Sequence, residues 1–234
     1  MSRALIRLVY DEIVGSKLLF DRLPLSAFDE VLVVDGGSTD GSREFYESKG
    51  LKVVGQEVHG RGEAFRVGVR NTISSQLVFY SPDGNEDPED ILKLCRCLDE
   101  GADIAIASRF MKRSRNEEDT QLLRWRAWVN MAFTAIANIL FRKGPYITDT
   151  INGFRAVRRG VFEVLNLNEC GFPIEYQMSI RAMKAGFNIV EIPTIEGDRL
   201  GGESKCRSFP VGMGHLKVLF GEIGSSIQNL LSRR

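Results

Sequence analysis

Along the first half of the chain, short runs of Val, Ile and Leu alternate with longer segments of helical hydrophobic period, separated by brief turns. Residues 5–9, 31–34, 51–54, 76–80 and 103–107 predict strands, and 13–23, 41–49, 62–73 and 88–100 predict helices. Near-continuous apolar strands are those buried on both faces, as parallel strands covered by helices are. The series predicts an α/β fold: an open, doubly wound, mostly parallel sheet with right-handed crossovers and helices on both faces.

After residue 110 the rhythm breaks. Residues 111–121 are polar and charged, the composition of a mobile loop. A long helix at 125–141 follows, then strands at 148–157 and 188–193 around helices at 159–167 and 173–185. An amphipathic tail covers 211–231. No repeat or low-complexity linker interrupts, so one domain is expected over 1–234, with a first half at 1–110, a second at 111–210 and the tail at 211–234.

In the 125–141 helix, Asn130, Thr134 and Asn138 lie four apart and draw one polar stripe on an otherwise apolar cylinder. Arg124, Arg126, Arg142 and Lys143 flank it, with Trp125 and Trp128 at one end. The pattern fits a helix lying in a membrane interface. A core or dimer-interface helix has the same pattern, so peripheral membrane contact and a homodimer both stay open.

The composition, 43% hydrophobic and 26% charged, is that of a globular chain able to bury one core. Basic and acidic residues balance to zero formal charge, which argues against a nucleic-acid binder relying on a bulk positive field. Cys95, Cys97, Cys170 and Cys206 lack paired metal spacing, and only His59 and His215 accompany them, so free thiols are expected rather than zinc. The first residues are broken too early by charge for a signal peptide. No apolar run approaches the roughly 20 residues that span a bilayer. A cytoplasmic protein is expected, with peripheral attachment to the cytoplasmic membrane face if the 125–141 helix meets lipid.

Two strand ends carry the acids that matter. Strands 31–34 and 76–80 run into Asp35-Gly-Gly-Ser38 and Ser81-Pro-Asp-Gly-Asn85, placing carboxylates at the carboxyl edge of a parallel sheet, where such folds bind ligands. Asp35 ends a buried strand and needs a partner, either a ligand donor or the Gly36-Gly37-Ser38 backbone. Asp40 sits in the first turn of the next helix and Asp87 precedes Pro88 at a helix start, so both read as structural. Asp83 has no capping duty; it can give a carboxylate to a hard cation, with Asn85 as an outer contact, while diphosphate and water complete the shell. The competing reading is a plain Asp-Gly turn.

Gly60-Arg-Gly62 opens a helix whose amides, with Arg61, can face an anion. Arg109 directly follows a strand and points to the same edge, a guanidinium suited to phosphate. Arg199 and Lys205 lie in a glycine-flanked cationic loop able to close over a phosphate; a solvated surface loop is the other reading.

In this order the segments resemble the family 2 glycosyltransferases of GT-A fold, particularly the dolichyl- and polyprenyl-phosphate sugar transferases. The landmarks are Tyr10-Asp-Glu12, Val33-Val-Asp-Gly-Gly-Ser-Thr-Asp40, Gly60-Arg-Gly-Glu-Ala64, Asp83 with Asp87-Pro-Glu89, Ser108-Arg-Phe110, Asp149-Thr-Ile-Asn-Gly-Phe-Arg155, Glu191-Ile-Pro193 and Gly202-Glu-Ser-Lys205. The resemblance implies transfer, with inversion, of a sugar from a nucleoside diphosphate sugar (UDP or GDP left open) to an acceptor, foremost a polyprenyl phosphate. A soluble hydroxyl acceptor and a non-catalytic nucleotide-sugar binding subunit are the alternatives.

It implies a nucleotide site in the first half, of Tyr10, Glu12, Val33, Asp35, Arg61, Ser81 and Pro82, and a divalent cation, Mg²⁺ or Mn²⁺, at Asp83 and Asn85. Arg109 and Arg199 would contact phosphate, Arg126 and Lys205 the acceptor or its phosphate, and Asp149 and Glu175 would lie near the acceptor. Three departures stand out. Leu8 replaces the family's usual proline and Asp11 its asparagine, Gly36 replaces the second acid of Asp-Asp-Gly-Ser, and Ser81 replaces the first acid of Asp-x-Asp.

Overall fold

The apolar runs form seven strands of one sheet: β1 (Arg3–Val9), β2 (Glu30–Asp35), β3 (Lys52–Gly55), β4 (Gln76–Tyr80), β5 (Ile104–Ser108), β6 (Arg155–Arg158) and β7 (Ile189–Pro193). The computed structural model describes residues 1–120, 123–201 and 208–231. The strand order is β3-β2-β1-β4-β6-β5-β7. Only β6 runs antiparallel, between β4 and β5. This is the expected doubly wound, mostly parallel α/β sheet.

Side-chain alternation explains why these strands read as unbroken apolar runs. Ile6, Leu8, Leu32, Val34, Leu77, Phe79 and Ile106 pack into the larger core on one face. Leu5, Val78, Tyr80, Ala105 and Ala107 pack on the other, against Ile91, Leu94 and Leu98 of the helix after β4. Period-two alternation between two buried faces leaves no polar face to show in the sequence.

Buried arginines interrupt two of the strands, Arg7 in β1 and Arg155 in β6. Arg7 is fully buried at the centre of β1, its guanidinium 4.4 Å from the Tyr46 ring centroid and 5.8 Å from those of Phe20 and Tyr80. An aromatic box of this kind holds a desolvated cation by its ring faces, and burial pushes the Arg7 pKa down.

The helices are α1 (Ile13–Leu19), α2 (Ser42–Ser48), α3 (Arg61–Arg70), α4 (Asp90–Asp99), α5 (Trp125–Phe141), α6 (Arg159–Val164), α7 (Ile174–Ala185) and α8 (Ser208–Leu231). The chain winds from β1 outward to β2 and β3, then returns across β1 to β4. That reversal leaves a crevice beyond the carboxyl ends of β1 and β4, where ligands of open α/β sheets bind. Gly15 of α1 lets the turn after β4 approach closely; a Cβ there would lie 1.8 Å from the Pro82 carbonyl oxygen.

Three expectations change. The 148–157 strand shrinks to β6, because 148–153 folds into turns around the Asp149 carboxylate, which accepts from Ile151 and Asn152 N–H groups at 3.3 and 3.0 Å. The 111–121 segment is not merely solvated: Asn116 and Glu118 are buried, and Asn116 donates to Glu196 at 2.8 Å. In α5 two residues of the polar stripe, Thr134 and Asn138, face inward. Asn138 bonds the Ile147 backbone in both directions, at 2.8 and 3.0 Å, and Thr134 meets the Thr150 hydroxyl at 2.8 Å. The outward face is therefore apolar, with Trp128 54% and Ile139 81% exposed, beside Ile136 and Leu140. Among the described residues no helix is long and apolar enough to cross a membrane.

The last helix closes the large core through His215, which is 3% exposed and sits 5.3 Å from the ring centroids of Phe133 and Tyr176. Burial pushes its pKa down to about 4. A histidine in an unfolded chain titrates near ~6.5, so between those values the unfolded state binds the extra proton. Stability is complete above the unfolded value and lost as pH falls toward the folded one, by an amount on the order of 3 kcal/mol. His215→Leu should remove that share of the slope. Urea unfolding of both proteins at pH 7 and pH 4.5 checks it: the wild type loses more stability on acidification than the variant, and equal losses would contradict the assignment.

Candidate active site

Two cavities open along the carboxyl edge of the sheet and share Arg61, Ser81, Asp83, Phe172 and Arg199, so they form two lobes of one cleft. The first lobe, about 260 Å³, is walled by Leu8, Val9, Tyr10, Glu12, Gln56 and His59. The second, about 210 Å³, is lined by Asn85, Arg109, Glu117, Arg126, Asn152 and Glu175, with Trp125, Val129 and His215 as its apolar wall.

The turn after β4 stands where the lobes meet. Asp83 Oδ1 accepts the Asn85 N–H at 3.2 Å and Oδ2 receives Arg199 Nη1 at 3.2 Å. Gly84, at φ +100°, permits this turn, and a Cβ there would strike Leu200 and the Asp198 carbonyl. Burial raises the Asp83 pKa, with the Arg199 guanidinium offsetting part of the effect. Beneath it, Glu86 is raised well above the usual carboxylate range by burial and by Asp83, while accepting the Ser81 N–H at 2.6 Å.

Arginines hold the other acids. Arg61 pairs with Glu175 and donates to Ser81 Oγ at 3.1 Å. Burial opposes the Arg61 charge, but Glu175, Glu86 and Asp83 together outweigh it and raise the pKa. Arg109 forms a bidentate pair with Asp149, at 2.7 and 3.1 Å, and lies 3.7 Å from Glu196. Although burial alone would raise it, the Asp149 pKa is lowered by Arg109. Arg126 meets Glu117 at 2.8 Å, and Glu117 also accepts from Asn85 Nδ2 at 3.0 Å. Arg199 further pairs with Glu12.

The structure thus brings Tyr10, Glu12, Arg61, Ser81, Asp83, Asn85, Arg109, Arg126, Glu175 and Arg199 to the cleft wall. Others stand apart. Asp35 is buried against its own turn, accepting the Ser38 and Gly37 N–H groups at 3.1 and 3.3 Å, with Arg43 3.8 Å away. Neither it nor Val33 lines a lobe: Val33 is buried within β2 and Asp35 is turned onto its own loop. The Pro82 carbonyl packs on Gly15 instead of facing the cleft.

Asp149 is fully buried behind Arg109, its oxygens taken up by that side chain and by backbone N–H groups, so it positions Arg109 rather than meeting an acceptor. The amides opening α3 do not face an anion either: the Cys170 carbonyl accepts Gly62 N–H at 2.7 Å and Glu63 N–H at 3.3 Å. Lys205 lies outside the described residues.

Several wall residues escaped the sequence reading. His59 packs edge-on against Tyr10 at 4.5 Å and donates from Nδ1 to the Gly36 carbonyl at 3.0 Å. Glu117 and Glu196 come from segments that look like ordinary polar loops. Phe172, shared by both lobes, follows Cys170-Gly171, and only its neighbouring glycine hinted at a close approach.

Among the described residues no group of three or more His, Cys, Asp or Glu is placed to hold a metal ion. The Asp83–Asn85 turn nonetheless suits a hard cation that brings further oxygen ligands with it. It offers one carboxylate and Asn85 Oδ1, which is buried with no hydrogen-bond partner among the described residues.

Residues 22–165 match the family model described as glycosyl transferase family 2. Glycosyltransferase AglJ of Haloferax volcanii is 37% identical over 169 residues, covering 71% of this chain and 54% of that protein. Polyprenol monophosphomannose synthase of Mycolicibacterium smegmatis is 31% identical over 204 residues, covering 80% of this chain and 74% of that one. The chain spans about half the length of the first relative. In three dimensions it is similar to glucosyl-3-phosphoglycerate synthase of Mycobacterium tuberculosis, solved with Mn²⁺, UDP and glucosyl-3-phosphoglycerate. That likeness has a TM-score of 0.69 and 18% identity, covers 95% of this chain and 80% of the other, and speaks for the fold. With its sheet order, its switch-point cleft and the family match over most of its length, the chain belongs to glycosyl transferase family 2.

Proposed function

We propose that the protein transfers a sugar from a nucleoside diphosphate sugar to a polyprenyl phosphate, with inversion at the anomeric carbon. The observation that carries this reading is the bilobed cleft with Asp83 at its waist: a partly aromatic lobe on one side, and an arginine-lined lobe opening beside an exposed apolar helix on the other. Relatives named polyprenol monophosphomannose synthase and, from Pyrococcus furiosus, dolichol-phosphate mannosyltransferase support the choice of acceptor.

On this reading the nucleoside rests against Tyr10, Gln56 and His59, and the diphosphate lies at the waist. A divalent cation held by Asp83 and Asn85, Mg²⁺ or Mn²⁺, would supply Lewis-acid stabilisation of the departing diphosphate. Arg199 adds a fixed positive charge there and Arg61 braces Ser81 and Glu175, an arrangement set before the reaction begins. Ser81 brings a hydroxyl where the family brings an acid, so the waist carries one negative charge fewer and the diphosphate supplies more of the cation's ligands. Glu175 Oε2 is buried with no hydrogen-bond partner among the described residues, and it lines the acceptor lobe, where a sugar hydroxyl would satisfy it.

An acceptor phosphate is already anionic. Its oxygen attacks the anomeric carbon as the bond to the diphosphate breaks, so no general base is required. Arg109, kept charged by Asp149 and Glu196, and Arg126, at the start of α5, would hold that phosphate. The outward face of α5, with Trp128, Ile136, Ile139 and Leu140, would then rest on the membrane surface that holds the lipid tail.

Three measurements test the reading. In a donor screen by nucleotide release, Asp83→Ala should lower turnover about 10²- to 10³-fold, the usual loss when one charge-stabilising group is removed. An unaffected variant would remove Asp83 from the mechanism. Radiolabelled sugar should appear on undecaprenyl or dolichyl phosphate in the presence of Mg²⁺ or Mn²⁺; label found only on soluble sugars would replace the lipid acceptor with a hydroxyl one and make Glu175 the base. Ile139→Glu should weaken co-sedimentation with anionic vesicles while leaving the melting temperature in place, and undiminished vesicle binding would exclude the α5 face as the contact.

A further inference from the structure

Arg199 occupies the position between two acids where the lobes meet. Its guanidinium donates to Asp83 Oδ2 at 3.2 Å and pairs with Glu12. The main chain fastens it there: Leu200 N–H donates to the Asp83 carbonyl at 2.8 Å, and Gly197 N–H to the Asn85 carbonyl at 3.1 Å. The arginine is therefore part of the same folded unit as the turn proposed to hold the cation, not a loose surface group.

Its bonding is incomplete. Nε is buried and has no acceptor among the described residues, although a guanidinium offers five donors in a fixed fork. Two carboxylates take one N–H each from Nη1 and Nη2, and the remaining donors, the buried Nε–H among them, suit an anion with several oxygens.

We infer that Arg199 is a built-in surrogate for the divalent cation: without nucleotide it bridges Asp83 and Glu12, and it yields Asp83 to the metal only when a nucleoside diphosphate supplies replacement acceptors. This rests on the preceding reading that Asp83 holds the metal. A metal ion alone entering beside Asp83 meets a guanidinium already bonded to that carboxylate, and like charges repel strongly at such distances. A diphosphate removes the conflict, because its oxygens take the freed N–H groups and its charge offsets both cations. Metal and nucleotide then assist each other's binding, and by linkage the coupling is the same in both directions.

The test is Mn²⁺ binding to the full chain, followed by electron paramagnetic resonance of free Mn²⁺, without nucleotide and with UDP or GDP, corrected for Mn²⁺ held by the nucleotide in solution. Wild type should bind Mn²⁺ weakly alone and tightly with the nucleoside diphosphate that fits. Arg199→Gln and Arg199→Met should bind Mn²⁺ alone at least about tenfold more tightly than wild type, whereas Arg199→Lys, which keeps the charge, should not. Two neutral variants keep the outcome independent of the folding of either one. Equal affinity of wild type and neutral variants for Mn²⁺ alone, with all of them binding it in the presence of nucleotide, would overturn the surrogate role and leave the metal site standing. No bound Mn²⁺ in any arm would overturn both.

Discussion

Acids gathered at the edge of a sheet repel one another unless cations stand between them, and that requirement organises this cleft. Glu12 and Asp83 share Arg199; Glu175 has Arg61; Asp149 and Glu196 flank Arg109; Glu117 meets Arg126. Each carboxylate arrives on a different segment, so the ion pairs also fix the relative placement of the loops after β1, β4 and β5 and the segment after β7. Removing one partner from such a buried pair leaves an uncompensated charge, which is far costlier than losing an exposed pair. The site and the local fold are stabilised by the same contacts.

Sheet topology decides which acids enter this arrangement. Because β4 returns to pair with β1 on the side opposite β2, residues following β1 and β4 converge, while those following β2 lie one strand away. Glu12 and Asp83 therefore share a guanidinium, whereas Asp35, also a carboxylate at a strand end, folds back on Ser38 and Gly37. A strand end by itself does not bring an acid to the cleft.

Much of this was legible in the residues. The β4 run and the 125–141 helix were bounded correctly, since a buried strand and a long apolar helix each leave a strong local pattern. The Asp83 turn stood out by its glycine and by the lack of a capping task. What the sequence hid depends on distant partners. Thr134 and Asn138 of α5 face inward only because Thr150 and the Ile147 backbone stand opposite them. The α3 amides lose their vacancy to a Cys170 carbonyl more than a hundred residues away. The direction of β6, Arg155-Ala-Val-Arg158, is set by its neighbours β4 and β5 rather than by its own residues, and Arg7 looks like an interruption until Tyr46 and Tyr80 close around it.

The inverted α5 gives the apolar face its meaning. Its buried side gives Thr134 and Asn138 hydrogen-bond partners, its outward side is hydrophobic, and its first turns border the lobe that contains Arg109 and Arg126. Donor and acceptor would then reach Asp83 from opposite directions, one along the sheet edge and one from the helix face. The most direct measurement of this arrangement is an anomalous-difference map from crystals grown with Mn²⁺ and a nucleoside diphosphate. The account predicts one Mn²⁺ peak at the Asp83 carboxylate, with the nucleoside against Tyr10 and His59; a nucleotide seated elsewhere, or Mn²⁺ bound away from Asp83, would contradict it.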